Sequence, residues 1–144
     1  MRLGVIDVGS NTVHLVAVDV RNGGRPTPMS DWKTSLKLVE QLDADGNIHE
    51  RGLKKLISAV GEAKELANKL GCDEFMPFAT SAIRSATNSA YVLDEVEKHT
   101  GVRLEILSGE DEGRLTFLAV RRWYGWSAGR ITNIDIGGGS LELC

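Results

Sequence analysis

The sequence predicts an α/β fold, a mixed sheet with helices packed on it, and three observations carry that prediction. Two apolar, β-branched runs and a looser third open the chain. A three-to-four-residue apolar period then replaces the two-residue one, and helix and strand patterns alternate from there to the end.

Leu3 to Val8 and Thr12 to Val20 are separated only by Gly9, Ser10 and Asn11, a spacing that predicts a tight hairpin. RNGGRPTP, 21–28, is a second turn. Lys33 to Leu42 alternates loosely and predicts a third strand, so that the chain begins as an antiparallel meander. Leu53, Leu56, Ile57, Val60, Ala63, Ala67 and Leu70 then fall at helical steps with charges on the other face, and Gly71 sits where a left-handed residue ends a helix. Glu74 to Thr80 is a short strand, and Pro77, lacking an N–H, argues for an edge or irregular pairing. TSAIRSATN reads as a loop. Asn88 is a good N-cap for a helix to about Thr100, closed by Gly101. Val102, Leu104 and Ile106 alternate as a strand. Ser108 caps a further helix with Leu115, Leu118 and Ala119 as its apolar face, reaching about Trp123. After a turn around GWSAG, Arg130 to Ile136 is the last clear strand.

Bulk properties narrow the partners. At 144 residues the length is that of one domain, and 17 Lys+Arg against 20 Asp+Glu give a net charge of −3. A polyanion would therefore need a local basic patch. Cys72 and Cys144 lie far apart without metal-site spacing, which fits a reducing cytoplasm better than a disulfide framework. Asp7 interrupts any signal-peptide core, and no apolar run approaches the roughly 20 residues of a spanning helix, so neither targeting nor a membrane partner is expected. His14, His49 and His99 have no metal spacing, and His14, inside the second strand, is expected to be a hydrogen-bonded structural residue.

One loop recurs: DVGSNT at 7–12 and DIGGGS at 135–140, each ending an apolar strand and leading into another. Glycine lets a backbone approach an anion closely, Ser or Thr adds a hydroxyl donor, and the Asp can hold a cation. DVGSNT alone is ordinary turn composition. Two copies a domain's length apart are what a cleft between duplicated halves would show, with one loop from each half.

DVGSNTVHL, ATSAIRSATN, SGEDEGRLTF and NIDIGGGSLEL together resemble the Ppx/GppA family of exopolyphosphatases and guanosine pentaphosphate phosphatases, within the actin-like, sugar kinase and Hsp70 ATPase superfamily. RRWYGWSAGRI resembles its actinobacterial exopolyphosphatases. The resemblance implies a ribonuclease H-like domain I over residues 1–129 and, at 130–144, the first hairpin of a second such domain, with the active cleft between them. It implies phosphate binding by Gly9, Ser10 and Asn11, by Arg84, and by Gly137, Gly138, Gly139 and Ser140. Asp7, Asp135 and Glu142 match acidic positions near a divalent cation, for which Mg²⁺ is the implied ion. On residues alone, Asp135 reads as a turn former, Glu142 as a solvated strand position and Arg84 as a surface arginine. Glu110 and Asp111 are most simply partners of the helix dipole. Glu112 matches the family's catalytic glutamate, although Gly113 stands where many members have Ala.

The implied function is Mg²⁺-dependent hydrolysis of the terminal phosphoanhydride bonds of inorganic polyphosphate by a glutamate-activated water. The alternatives are guanosine pentaphosphate, (p)ppGpp, as substrate, a sugar or acetate kinase of the same superfamily, and a polyphosphate- or nucleotide-binding module without turnover. With half the implied cleft beyond it, the 144-residue chain is expected to have little or no activity alone. Trp123, Tyr124 and Trp126 beside Arg121, Arg122 and Arg130 are expected to pack against a further domain rather than against nucleic acid. An exposed edge around Ile134, Ile136, Leu141 and Leu143 is expected to favour homodimers or strand exchange.

Overall fold

In the computed structural model, which describes residues 1–144, a five-stranded sheet forms the centre of the fold. Strands β1 (Arg2–Val8), β2 (Thr12–Asp19) and β3 (Thr27–Ser35) make the expected antiparallel meander. On the other side of β1, β4 (Glu74–Ala79) and then β5 (Glu105–Ile106) add in parallel, giving the order β3-β2-β1-β4-β5. Parallel neighbours need a crossover. Helix α1 (Glu50–Lys69) supplies the one into β4, and α2 (Ser81–Ser85) with α3 (Ser89–Thr100) the one into β5.

The two-residue alternation of the strands explains the core. Ile6 and Val8 of β1 and Val13 and Leu15 of β2 point to one face, where Leu56, Val60 and Ala63 of α1 and Val92 and Val96 of α3 cover them. Burying a residue such as Leu56, fully shielded here, is worth about 1.5–3 kcal/mol. Asp7 and His14, at alternate positions, point to the other face and pair in register across β1 and β2. Glycines close the helices as expected: Gly71 and Gly101 are left-handed, with φ of 69° and 63°.

After β5 comes α4 (Gly109–Tyr124), capped by the Ser108 hydroxyl, which accepts from the Asp111 N–H at 3.0 Å. A 3₁₀ turn at Trp126–Ala128 follows, and then β6 (Ile134–Ile136) and β7 (Leu141–Leu143), which pair only with each other. No helix is long and apolar enough to cross a membrane.

Four expectations need correction, and a fifth is narrowed. The third strand is Thr27–Ser35 rather than 33–42, because Lys37 takes a left-handed φ of 54° and Leu38–Gln41 turns as 3₁₀ helix. TSAIRSATN holds the short helix α2. Pro77 lies in an internal strand rather than at an edge, opposite Ile6, and the irregular pairing is what is found: β5 pairs only with Phe78 and Ala79, so the ladder stops short of the proline. The His14 side chain makes no hydrogen bond; its Nε2 stands 3.9 Å from Asp31 Oδ2. The apolar stripe of α4 does not join the core: Leu115 and Leu118 are half exposed, and Gly113 is the buried residue of that helix. The helix docks by that glycine, against Glu142 and Cys144 at the β7 end, and leaves its apolar stripe outside the core.

Candidate functional site

The two glycine loops have the same turn. Gly9 N–H donates to Thr12 O at 2.9 Å, and Gly137 N–H to Ser140 O at 3.0 Å. The first loop is also clamped from behind. The amides of Leu36 and Lys37 donate to Asn11 O at 2.8 and 3.0 Å, and that of Leu38 to Ser10 O at 2.7 Å. With its carbonyls committed on that side, the loop keeps the amides of Ser10 and Asn11 without any protein acceptor. The amides of Gly138, Gly139 and Ser140 are likewise unpaired. Backbone N–H groups are obligatory donors, so five of them left together are a place for an anion.

The loops also touch. A Cβ on Gly138 would lie 2.6 Å from Asn11 Nδ2 and 3.1 Å from Ser10 Cβ; one on Gly139 would lie 3.0 Å from Ser10 Oγ and 3.1 Å from Ser81 Oγ. Glycine lets the two loops approach this closely without displacing those side chains. Gly9 and Gly137 are different: a Cβ there meets only its own turn at 3.5 Å, an ordinary contact.

Arg84, on α2, links the loops to α4. Its Nη1 donates to Leu107 O at 2.6 Å and to Glu112 Oε2 at 3.0 Å, while Nη2 stands 4.0 Å from Glu142 Oε1. Burial raises the Glu112 carboxyl above its usual value; the Arg84 hydrogen bond and charge oppose this, and the Glu142 and Asp7 charges add to it. The Asp7 carboxyl is also raised, first by the protein around it and then by Asp135, with His14 and Lys33 opposing. Asp135 is oriented by Thr116, whose hydroxyl donates to its Oδ2 at 3.2 Å. Glu142 is 9% exposed, so it is no solvated strand position.

Asp7, Ser10, Asn11, Arg84, Glu112, Asp135, Gly138, Gly139 and Glu142 thus form one connected neighbourhood, with Gly9, Gly137 and Ser140 closing its turns. Sequence reasoning passed over three contributors. Ser81, 5% exposed, shares a 2.9 Å hydrogen bond with Ser10 and lies against Gly139; its place inside ATSAIR was the available signal. Thr116 had none beyond helical phase with Glu112. The Leu36–Leu38 amides act through backbone and carry no residue signature. Trp123, Tyr124 and Trp126 lie outside the neighbourhood and are 85%, 66% and 85% exposed.

A family model of Ppx/GppA phosphatases matches residues 16–144. The chain belongs to the Ppx/GppA phosphatase family. Exopolyphosphatase 1 of Mycobacterium tuberculosis is 64% identical over 143 residues, 99% of this chain and 42% of that protein; the Mycobacterium leprae protein of the same name is 63% identical over the same lengths. Among solved structures, an exopolyphosphatase from Cytophaga hutchinsonii superposes with a TM-score of 0.88 at 28% identity, covering 99% of this chain and 46% of that one. The Aquifex aeolicus family member gives 0.84 at 29%, with 99% and 46% covered. The ethanolamine utilization protein EutJ of Carboxydothermus hydrogenoformans, at 0.53 and 19% identity, shares the fold alone. These neighbours bear out the ribonuclease H-like, actin-like ATPase fold that the Ppx/GppA motifs implied. The chain spans about two fifths of the length of the curated relatives it matches.

Proposed function

We propose that this chain carries the phosphate-gripping half of an exopolyphosphatase site, which removes terminal phosphate from inorganic polyphosphate. The observation that carries the reading is the contact between two like turns whose five unpaired amides lie beside a glutamate with a raised pKa. Amides of Ser10, Asn11, Gly138, Gly139 and Ser140 bind the terminal phosphoryl oxygens. Arg84, with Nη1 engaged by Leu107 and Glu112, offers Nε and Nη2 to the same group. Glu112 accepts a proton from water as that water attacks phosphorus, and the shortened polyphosphate leaves with the electron pair of the broken P–O bond. The raised pKa keeps Glu112 a stronger base than an exposed glutamate.

The carboxylates suit Mg²⁺ in one particular way. No three Asp, Glu, His or Cys side chains converge closely enough to hold an ion by protein ligands alone. Mg²⁺ commonly takes one or two carboxylates and completes its shell with waters and substrate phosphates. We assign that role to Asp7, whose carboxyl is raised by burial and by the Asp135 charge, together with Asp135 and its cross-strand neighbour Glu142. Bound there, the ion would neutralise charge on the phosphoryl oxygens.

Inorganic polyphosphate is favoured over guanosine pentaphosphate because the 64% identical relatives are named exopolyphosphatases. Since the chain spans 42% of those relatives, we place turnover in a protein of their length, working in the cytoplasm, and little in the 144 residues alone. Phosphate release from polyphosphate and from guanosine pentaphosphate, with and without Mg²⁺, tests this in a protein extended to that length. Release from neither substrate would end the hydrolase reading. Tight tripolyphosphate binding without release would leave a binding module.

A further inference from the structure

Between Glu112 and Asp135 the sequence has four arginines, at 114, 121, 122 and 130, and no acidic residue, in a chain of net charge −3. None of the four is within 4.0 Å of a carboxylate, since every ion pair of the structure involves other residues. Three of them converge. Arg121, Arg122 and Arg130, with Phe117, Trp126 and Thr132, line a hollow of about 480 Å³ that contains no carboxylate. One guanidinium is held in place: Arg121 Nη1 donates to Gly129 O at 2.6 Å, and its carbon lies 4.8 Å from the centre of the Trp126 ring. Left-handed Gly125 and Gly129, with φ of 77° and 67°, fold the 3₁₀ turn back so that this contact forms. Arg122 and Arg130 touch no acceptor and keep all their donors free.

This hollow shares one wall residue, Phe117, with a second hollow that reaches Glu142 of the site. Glu110, Arg114, Phe117 and Arg121 follow at four- and three-residue steps and so share one face of α4. The second hollow, about 510 Å³, runs back to Glu142 beside Arg84. That inner hollow sets Arg114 against Glu110 and Glu142 and is not itself basic; the outer one is. From Glu112 to Arg122 is ten residues of helix, about 15 Å at 1.5 Å per residue.

We propose that Arg121, Arg122 and Arg130 form a second subsite for the same ligand, holding inner phosphates of a long inorganic polyphosphate whose end lies at the glycine loops. The inference rests on the loops being the terminal-phosphate site, and it adds a chain-length preference to that reading. Guanidiniums match phosphate oxygens in fork geometry and stay charged at any working pH. A nucleobase partner is less suited, because Arg121 already occupies a face of Trp126.

Binding of tripolyphosphate and of a long inorganic polyphosphate to the 144-residue chain, by calorimetry, tests the subsite. Tripolyphosphate is too short to bridge the two places. The unmodified chain should bind the long polymer more tightly. Arg122→Gln with Arg130→Gln should weaken the long polymer about tenfold, as two exposed charged pairs are lost, with a shallower salt dependence and tripolyphosphate binding unchanged. Neither side chain supports the fold, so thermal melting should not move. Lys55→Gln with Lys69→Gln, two exposed lysines of α1, should change nothing. Equal long-polymer binding by the double arginine variant, equal weakening by the lysine control, or no preference of the unmodified chain for the long polymer would each overturn the subsite. Tighter binding of a single-stranded oligonucleotide than of polyphosphate of equal charge would overturn it in favour of base stacking. If tripolyphosphate fails to bind while the long polymer binds through the arginines, the loop reading falls and the subsite survives.

Discussion

Replacing Arg84 by Met tests whether the site's electrostatics are coupled as the structure shows. The guanidinium stands between Glu112 at 3.0 Å and Glu142 at 4.0 Å, with side-chain exposures of 25%, 20% and 9% for the three residues. Breaking a fully buried pair costs 3–5 kcal/mol and an exposed one up to about 1, so this partly shielded cluster should lose about 2 kcal/mol. For a chain of this length that is about 6 °C in Tm. The methionine keeps the aliphatic stem, so the loss isolates charge and hydrogen bonding. Part of it belongs to Leu107 O, which loses its 2.6 Å donor, and a double-mutant cycle separates that part. In a Glu112→Gln background, Arg84→Met should cost about 1 kcal/mol less, because one stranded carboxylate is gone. Urea unfolding followed by circular dichroism gives all four stabilities. The deficit should also narrow in acid, where the stranded carboxylates take up protons. An equal cost in both backgrounds would refute the coupling and reduce Arg84 to a support for the Leu107 carbonyl.

Glu112→Gln alone should raise Tm at neutral pH. Its folded pKa is raised by burial, so its contribution to stability is complete below the unfolded value of about 4.5 and is lost as pH climbs through the folded one; the advantage of Gln should vanish below that range in paired thermal melts. In a protein of the relatives' length the same change should lower kcat by about 10²- to 10⁴-fold. Gly9→Ala should leave Tm within error, because a Cβ there has room, yet weaken tripolyphosphate binding measured by calorimetry. Gly61→Ala should stabilise by about 0.5–1 kcal/mol, while Gly52→Ala, whose Cβ would lie 2.7 Å from Gln41 Cβ, should destabilise by about 1–3 kcal/mol in denaturant melts. Sedimentation should show concentration-dependent association through Ile134, Ile136, Leu141 and Leu143, each at least 60% exposed, and Ile136→Lys should reduce it.

What was legible in the sequence follows burial. The first two strands and the α1 and α3 helices have one fully covered face, and their period and glycine caps announce it. The third strand, TPMSDWKTS, is an exposed edge whose residues nowhere become fully buried, so it is fixed by its ladder to β2 and leaves no apolar rhythm to read. Leu36 and Leu38 look like its continuation because they are buried, but they belong to the segment that clamps the first loop. Helix α2, five residues long, is too short to show a period. The face of α4 shows the opposite failure: a genuine apolar stripe with no core beneath it in this chain. At the site, the repeated Asp-x-Gly loop was visible as a pair, and the acidic residues only through the family resemblance. That the loops touch depends on two absent Cβ atoms and on Ser81, which spacing alone does not encode.

The convergence itself carries a cost that the core must offset. Asp7 and Glu112 are both held above their ordinary pKa by burial and by neighbouring carboxylates, and Arg84 is the one guanidinium between Glu112 and Glu142. Beside them, five backbone amides lack acceptors. The amides and the carboxylates do not pair with one another. The clamp on the Ser10 and Asn11 carbonyls and the Ser10–Ser81 hydrogen bond fix the first loop from two sides. A chain that spends buried contacts on keeping donors and anions apart in one neighbourhood is arranged for a ligand that satisfies both. On the function proposed above, a phosphate bearing a divalent cation would do so, its oxygens taking the amides and its metal the carboxylates.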